Sequence, residues 1–275
     1  MKTTWRIKDR LLTPNFPAVM GIINATPDSF HAPSRAGVDE ALRLADRMIT
    51  EGATILDIGG QSSRPGSGMG TAEEEMGRVM PVVDAIHRRF PDALLSVDTW
   101  RAGVARAAVE HGAGMVNDIS AGTLDPEMLV TVAGLHVPYI AIHMKGTPAT
   151  MQEAPHYTDV AAEVTRSLSD RMAAAHHAGI ADVILDPGLG FGKNLDHNFT
   201  LLRELPRITA LGAPVLVGLS RKRMINEVLD TKPADALNGT TVLHTIALLN
   251  GAAILRVHDV HEAVECAVLV RYYSS

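Results

Sequence analysis

Short apolar runs alternate with longer amphipathic stretches along the whole chain. The runs are Ala18–Ile23, Ala53–Ile58, Leu94–Val97, Met115–Ile119, Pro138–Ile142, Val183–Leu185, Pro214–Gly218 and Ala252–Val257. Each is too short for a helix and is bounded by Gly, Pro or Asp, so each predicts a buried strand. Between them lie helix-length segments such as Gly37–Thr50, Ala72–Arg89, Ala102–His111, Val160–Ala178 and Ala236–Leu249. Apolar residues recur there at three- and four-residue spacing, as at Leu42, Ala45, Met48 and Ile49, which is the stripe a helix buries against a sheet.

Eight strand–helix units with no linker between them predict an α/β chain of one domain over residues 1–275, a (β/α)8 TIM barrel. A doubly wound open sheet is the competing architecture, and eight regular units in this length favour closure. The segment Leu11–Phe16 precedes the first unit and reads as a lead-in that covers the bottom of the barrel.

Composition narrows the picture. Hydrophobic residues make up 46% of the 275 positions but aromatics only 4%, the palette of parallel strands buried on both faces. A net charge of −6 gives no long-range attraction for nucleic acid or an anionic membrane, so any bound anion needs a local basic cluster. The single cysteine, Cys266, excludes an internal disulfide. The first residues, MKTTWRIKDR, hold no apolar signal region, and no apolar run reaches membrane-spanning length. The expectation is a cytoplasmic protein.

Polar and ionisable residues gather just after the apolar runs. Asn24 follows the first, Gln61–Arg64 the second, Asp98 the third, and Asn117 with Asp118 ends the fourth. His143 and Lys145 follow the fifth, Asp186 ends the sixth, Ser220–Arg223 follow the seventh, and Arg256 and His258 end the eighth. Any one of these is explained as an ordinary helix cap. All of them together are not, because caps have no need of Arg, Lys and His, and in a barrel the strand ends meet at one rim. The late basic residues Arg221, Lys222, Arg223, Arg256 and His258 form a candidate anion site. Asp98, Asn117 and Asp186 suit the donor face of a flat heterocycle, or a metal, although no zinc spacing is present. The run Gly188–Lys193 lacks the dinucleotide spacing, and Ser220 lacks a nucleophile-elbow context.

These segments resemble the ordered signatures of the dihydropteroate synthases. Met20–Phe30 is similar to the first signature and Asp57–Gly66 to the second. Ser96–Thr99, Asn117–Ile119, His143–Pro148, Asp186–Lys193, Ser220–Lys222 and Arg256–Asp259 follow in family order. The resemblance implies that p-aminobenzoate displaces pyrophosphate from 6-hydroxymethyl-7,8-dihydropterin pyrophosphate to give 7,8-dihydropteroate, in a family that sulfonamides target. It implies that Asp98, Asn117, Asp186 and Lys222 hold the pterin. It further implies that Asn24, Arg64, Arg256 and His258 meet the pyrophosphate and its Mg2+, with Asn24 on the metal. Phe30, Ser63, Pro65, Phe191 and Lys222 would frame the p-aminobenzoate, and a homodimer is expected. Asn24, Arg64, Asp98, Lys222, Arg256 and His258 would carry the catalysis.

Three departures from the family pattern surround the expected p-aminobenzoate pocket. His31–Arg35 replaces a Ser-Asp-Gly-Gly loop, Ser63 replaces Thr, and Arg223 replaces Ser after the motif lysine. Arg223 is thereby a candidate partner for the aminobenzoate carboxylate. The rival readings are a pterin-binding methyltransferase and a non-catalytic paralogue; the first needs no anion site and the second no Asn24, Ser63 or Arg64. The Gly59-Gly60 and Gly66–Gly70 flanks read as a mobile arm over the rim.

Overall fold

All eight apolar runs are strands, and all eight run parallel. A computed structural model of the chain describes residues 4–25, 35–61, 70–151 and 155–275. It opens with an antiparallel hairpin, β1 (Trp5–Ile7) and β2 (Arg10–Leu12). The parallel strands follow as β3 (Ala18–Asn24), β4 (Ile55–Gly59), β5 (Leu94–Asp98), β6 (Met115–Asp118), β7 (Tyr139–Ile142), β8 (Val183–Asp186), β9 (Leu216–Val217) and β10 (Ile254–Val257). Each of β3 to β7 pairs with its successor, and β10 pairs with both β9 and β3, at Arg256↔Met20 for the latter. A bridge between Leu185 and Val215 joins β8 to the start of β9 and closes the ring. Closure decides against the open sheet.

The helices are α1 (Arg35–Thr50), α2 (Ala72–Arg89), α3 (Ala102–Glu110), α4 (Met128–Leu135), α5 (Val160–Ala178), α6 (Leu195–Arg203), α7 (Leu205–Thr209), α8 (Arg223–Leu229), α9 (Leu237–Leu249) and α10 (Val260–Tyr273). Local chemistry sets several starts. Thr71 and Glu74 form a capping box on α2, Asp159 accepts from Ala162 N on α5, and Asn194 caps α6. Strand parity then builds two cores. One set of alternate residues fills the barrel: Ala18, Met20, Ile55, Leu94, Met115, Ile140, Ile184, Leu216 and Ile254. The other set, including Val19, Ile23, Leu56, Ile58, Val97, Val116, Leu185 and Val257, packs outward against the helices.

Several expected bounds shift in detail. The second strand begins at Ile55 rather than Ala53, because Ala53 N donates to Met48 O and still closes α1. The seventh shrinks to Leu216–Val217, since Pro214 has no N–H to offer a ladder. The bottom cover starts earlier than Leu11–Phe16: Leu11 is 76% exposed, whereas Trp5 is 1% exposed and sits with the barrel-interior residues. Trp5 packs edge-on to Phe16, with ring centroids 5.7 Å apart.

Candidate active site

The inward parity that carries Ala18 and Met20 on β3 carries Asn24 at its rim end, and the same holds around the barrel. On β4 it carries Asp57, on β5 Ser96 and Asp98, on β6 Asn117, on β8 Asp186 and on β10 Arg256. Lateral register brings Gly59, Asp98 and Asn117 side by side. Thus one face of one closed sheet assembles seven polar strand positions that the sequence scatters over more than two hundred residues.

Arg256 is the hub. Its Nε donates to Asp57 Oδ2 and its Nη2 to Asp98 Oδ2, both at 2.6 Å. Asn117 Nδ2 donates to the same Asp57 oxygen at 2.9 Å. With its amide N–H committed to Asp57, Asn117 turns its Oδ1 acceptor elsewhere, and that atom has no hydrogen-bond partner among the described residues. The same is true of Asp57 Oδ1 and Ser96 Oγ. Three buried, unsatisfied polar atoms on the inward face of neighbouring strands mark a place suited to a polar guest.

Burial and charge pull against each other here. Burial pushes the Asp98 carboxyl up to about 7, against the pull of Arg256 and with help from Asp57. Asp186 is also raised by burial, opposed first by Lys222 and then by the Gly188 N–H, which donates to its Oδ1 at 2.6 Å. Burial lowers Lys222 to about 8, with Asp186 opposing the shift. Arg256 is disfavoured by burial, yet Asp57 and Asp98 outweigh that and hold it as a cation. The result is a mixed set of acceptors and donors, poised near neutrality.

The basic run after β9 splits three ways. Arg221 forms a bidentate pair with Asp259, at 2.9 and 2.8 Å, and also donates to Pro233 O and Ala234 O. This corrects its expected place in the anion cluster. Lys222, capping α8, turns its Nζ to Leu189 O and lies 4.4 Å from the Phe191 ring centroid. Arg223 pairs with Glu227 one turn along α8, and its side chain is 82% exposed. The guanidinium expected to face an acceptor carboxylate is engaged by a carboxylate of its own helix. At the neighbouring strand end, His258 is exposed, and its Nδ1 lies 3.0 Å from the buried Ser220 Oγ.

Phe30, Ser63, Arg64, Pro65 and the His31–Ser34 part of the altered loop lie outside the described residues. Both ends of the second loop are tied down. Arg78 donates to Gly60 O, and Gln61 and Arg101 both donate to Gly70 O. Gly60 is required for close packing rather than for mobility, since a Cβ there would meet Val79 Cγ2 at 2.5 Å. Asp118, adjacent to Asn117, has the opposite parity: Tyr139 Oη, Ser120 and Gly122 N–H groups hold its carboxylate on the helix side. Among the described residues, no three His, Cys, Asp or Glu side chains converge as a metal cage.

Asp57 received no role from the sequence, although an Asp inside an apolar strand at inward parity is a readable signal. The Ser220–His258 contact and a buried lysine at position 193 carried no such mark.

A profile described as "Pterin binding enzyme" matches residues 20–258 of the chain. The chain is 46% identical over 257 residues to "Dihydropteroate synthase" of Escherichia coli K12, a match that covers 92% of this chain and 90% of that one. The fold superposes on Xanthomonas albilineans dihydropteroate synthase with 4-aminobenzoic acid with a TM-score of 0.91, at 43% identity and 99% coverage of each chain. The same organism's enzyme in complex with 7,8-dihydropteroate gives a TM-score of 0.88 at 41% identity, again over 99% of each.

Proposed function

The chain belongs to the dihydropteroate synthase family of pterin-binding enzymes, and we propose that its inward-facing rim residues divide that family's reaction among themselves. In that reaction the amine of p-aminobenzoate forms a C–N bond to the methylene of 6-hydroxymethyl-7,8-dihydropterin pyrophosphate. The C–O bond to pyrophosphate breaks, and the amine gives up a proton.

Asn117 Oδ1, with Asp98 and Asp186, offers acceptors to the N–H edge of the pterin, and Lys222 offers a donor to its carbonyl. Asp57 sets this pattern by fixing the orientation of both Asn117 and Arg256. Arg256 and His258 stand at the β10 end, where a cation and a donor can take the charge that grows on the departing pyrophosphate. The loss of that group leaves positive charge spread over the pterin, and the carboxylates beneath it favour that charge. The aniline nitrogen is a neutral nucleophile, so no activated Ser or Cys is required. Phe191 and the Lys222 ammonium above it form one wall for the p-aminobenzoate ring and its carboxylate. Arg64, Phe30, Ser63 and Pro65 complete the anion and aminobenzoate sides of this reading.

The residues fit a Mg2+ carried by the pyrophosphate. Asn24 presents an amide oxygen at the inward end of β3, and a hard cation takes its remaining ligands from phosphate and water. Bound there, the metal would supply positive charge to the leaving group.

The last helices bear on the association state. Val242, Ile246 and Leu249 recur along α9, and Val268, Leu269 and Tyr272 lie on α10, all exposed on a packed helix pair. Such an exposed apolar set supports a homodimer. The buried free thiol of Cys266 suits a cytoplasmic, reducing setting.

The observation that carries the reading is the Asp98–Arg256–Asp57–Asn117 chain at the rim. Pyrophosphate release from pterin pyrophosphate, measured with and without p-aminobenzoate, tests it. Release that depends on p-aminobenzoate is expected; none with both substrates and Mg2+ present rejects it.

A further inference from the structure

The Gly188–Lys193 run ends in a lysine that the reaction above leaves unused. Lys193 is 3% exposed. Its Nζ lies 2.9 Å from Gly188 O, 2.9 Å from Phe191 O, 3.2 Å from His143 O and 2.9 Å from His143 Nδ1. Among the described residues no carboxylate comes within ion-pair distance of it. Burial drives the lysine well below its usual pKa, and burial also holds His143 neutral, with a pKa down to about 3. A buried amine with four acceptors, and with only the Asp186 carboxylate attracting it from beyond contact distance, is costly, and an apolar side chain would fill the same volume without that cost. Its placement therefore calls for a reason beyond packing.

The backbone supplies one. A Cβ on Gly188 would fall 1.9 Å from His143 O, and one on Gly192 would fall 2.5 Å from Lys145 O. Both glycines have φ near +65°. The turn is thus pressed flat against the chain leaving β7, with the carbonyls of residues 188 and 191 turned onto the Lys193 amine. On its other side the same turn holds the site. Leu189 O accepts from Lys222 Nζ, and the Phe191 ring lies 4.4 Å from that nitrogen. Two lysines grip one turn, Lys193 from the β7 side and Lys222 from the pocket.

We propose that Lys193 is a positioning residue that clamps the 188–191 turn to the end of β7. It thereby fixes the Leu189 carbonyl and the Phe191 ring that hold Lys222 against the aminobenzoate. This rests on the reading that Lys222 and Phe191 serve the substrates. Of the pterin contacts, Asp98 and Asn117 belong to β5 and β6 and keep their positions without the clamp. Asp186 accepts from the Gly188 N–H, whereas Lys222 is held by the turn itself, so pterin affinity falls less than aminobenzoate affinity. The amine acceptor's side of the reaction should therefore suffer first.

The test uses Lys193→Met, with His143→Ala and His143→Asn as milder variants; Asn returns an acceptor near the Nδ1 position. Steady-state pyrophosphate release gives kcat and the KM for p-aminobenzoate, and calorimetry gives the affinity for pterin pyrophosphate. In Lys193→Met the aminobenzoate KM rises about tenfold or more while pterin pyrophosphate affinity stays within about threefold. His143→Ala shows part of that rise, and His143→Asn restores it. A folded Lys193→Met with unchanged aminobenzoate KM overturns the clamp, as does an equal loss on both substrates. If Lys193→Met does not fold, His143→Ala decides alone, and an unchanged KM there overturns it. Wild type is assayed alongside: no turnover there rejects the reaction and the clamp together, whereas turnover with an unmoved variant rejects only the clamp.

Discussion

Arg256 and Asp57 stand 199 residues apart in the chain and 2.6 Å apart in space. The pair is almost wholly buried, with Asp57 at 0% exposure, and the same Asp57 oxygen also orients Asn117. Leaving one member of such a pair without its partner costs about 3–5 kcal/mol. Arg256 keeps Asp98 when Asp57 is removed, so Asp57→Ala should lower unfolding stability by less than that, about 1–3 kcal/mol. In a double-mutant cycle with Arg256→Ala, the two losses should fall short of additive by about 1–3 kcal/mol. Urea unfolding of the four proteins measures this; additive losses would show that the contact carries no coupling.

The pH dependence of pterin binding follows from two shifted groups. Asp98, raised to about 7, offers a carboxylate acceptor only above that pH, while Lys222, lowered to about 8, offers an ammonium donor only below that one. Affinity for a pterin ligand should climb as pH rises through about 7 and fall again past about 8. Calorimetry between pH 5.5 and 9.5 reads both limbs. Asp98→Asn should flatten the acidic limb and leave the alkaline one, and a flat wild-type profile would refute the assignment.

At the opposite end of the barrel, Trp5 plugs the bottom, packed edge-on to Phe16. Trp5→Ala should cost about 3–5 kcal/mol, the usual range for deleting a large buried aromatic. Because the damage is remote, KM values for both substrates should stay within about twofold at a temperature where the variant is folded. A selective change in either KM would mean that the plug communicates with the rim.

Arg223 is the most exposed of the three consecutive basic residues Arg221, Lys222 and Arg223, and is paired with Glu227. Surface pairs of this kind contribute about 0.2–1 kcal/mol. Arg223→Ser should change stability by less than about 1 kcal/mol and leave the aminobenzoate KM nearly unmoved at low and high salt. A several-fold rise in KM at low salt, vanishing at high salt, would show that the guanidinium leaves Glu227 for the substrate.

Much of this protein was legible before folding. Strand and helix positions depend on local periodicity, which is why Ala72–Arg89 and Val160–Ala178 are helices with the bounds the pattern predicts. The inward set was legible too, since parity along a strand is a property of the strand alone. Alternation from Ala18 assigns Asn24 to the rim as surely as alternation from Ile254 assigns Arg256. Resemblance of the ordered motifs then named the chemistry.

Partnership was decided elsewhere. Arg221, Lys222 and Arg223 are neighbours of one residue type class, yet one is spent on Asp259, one faces the pocket and one pairs with Glu227. The positive φ of Arg221, at 57°, and the start of α8 at Arg223 turn the three side chains apart. Likewise Asp57 becomes an anchor only because pairing β10 with β3 sets Arg256 one strand away from β4. Asp118 becomes a loop brace only because Tyr139 of β7 and the turn at Ser120–Gly122 close on it. Sequence by itself determined which residues reach the rim, because periodicity is local. Tertiary structure alone decided which of them meet, because hydrogen bonds and ion pairs form across a closed sheet between residues the chain holds far apart.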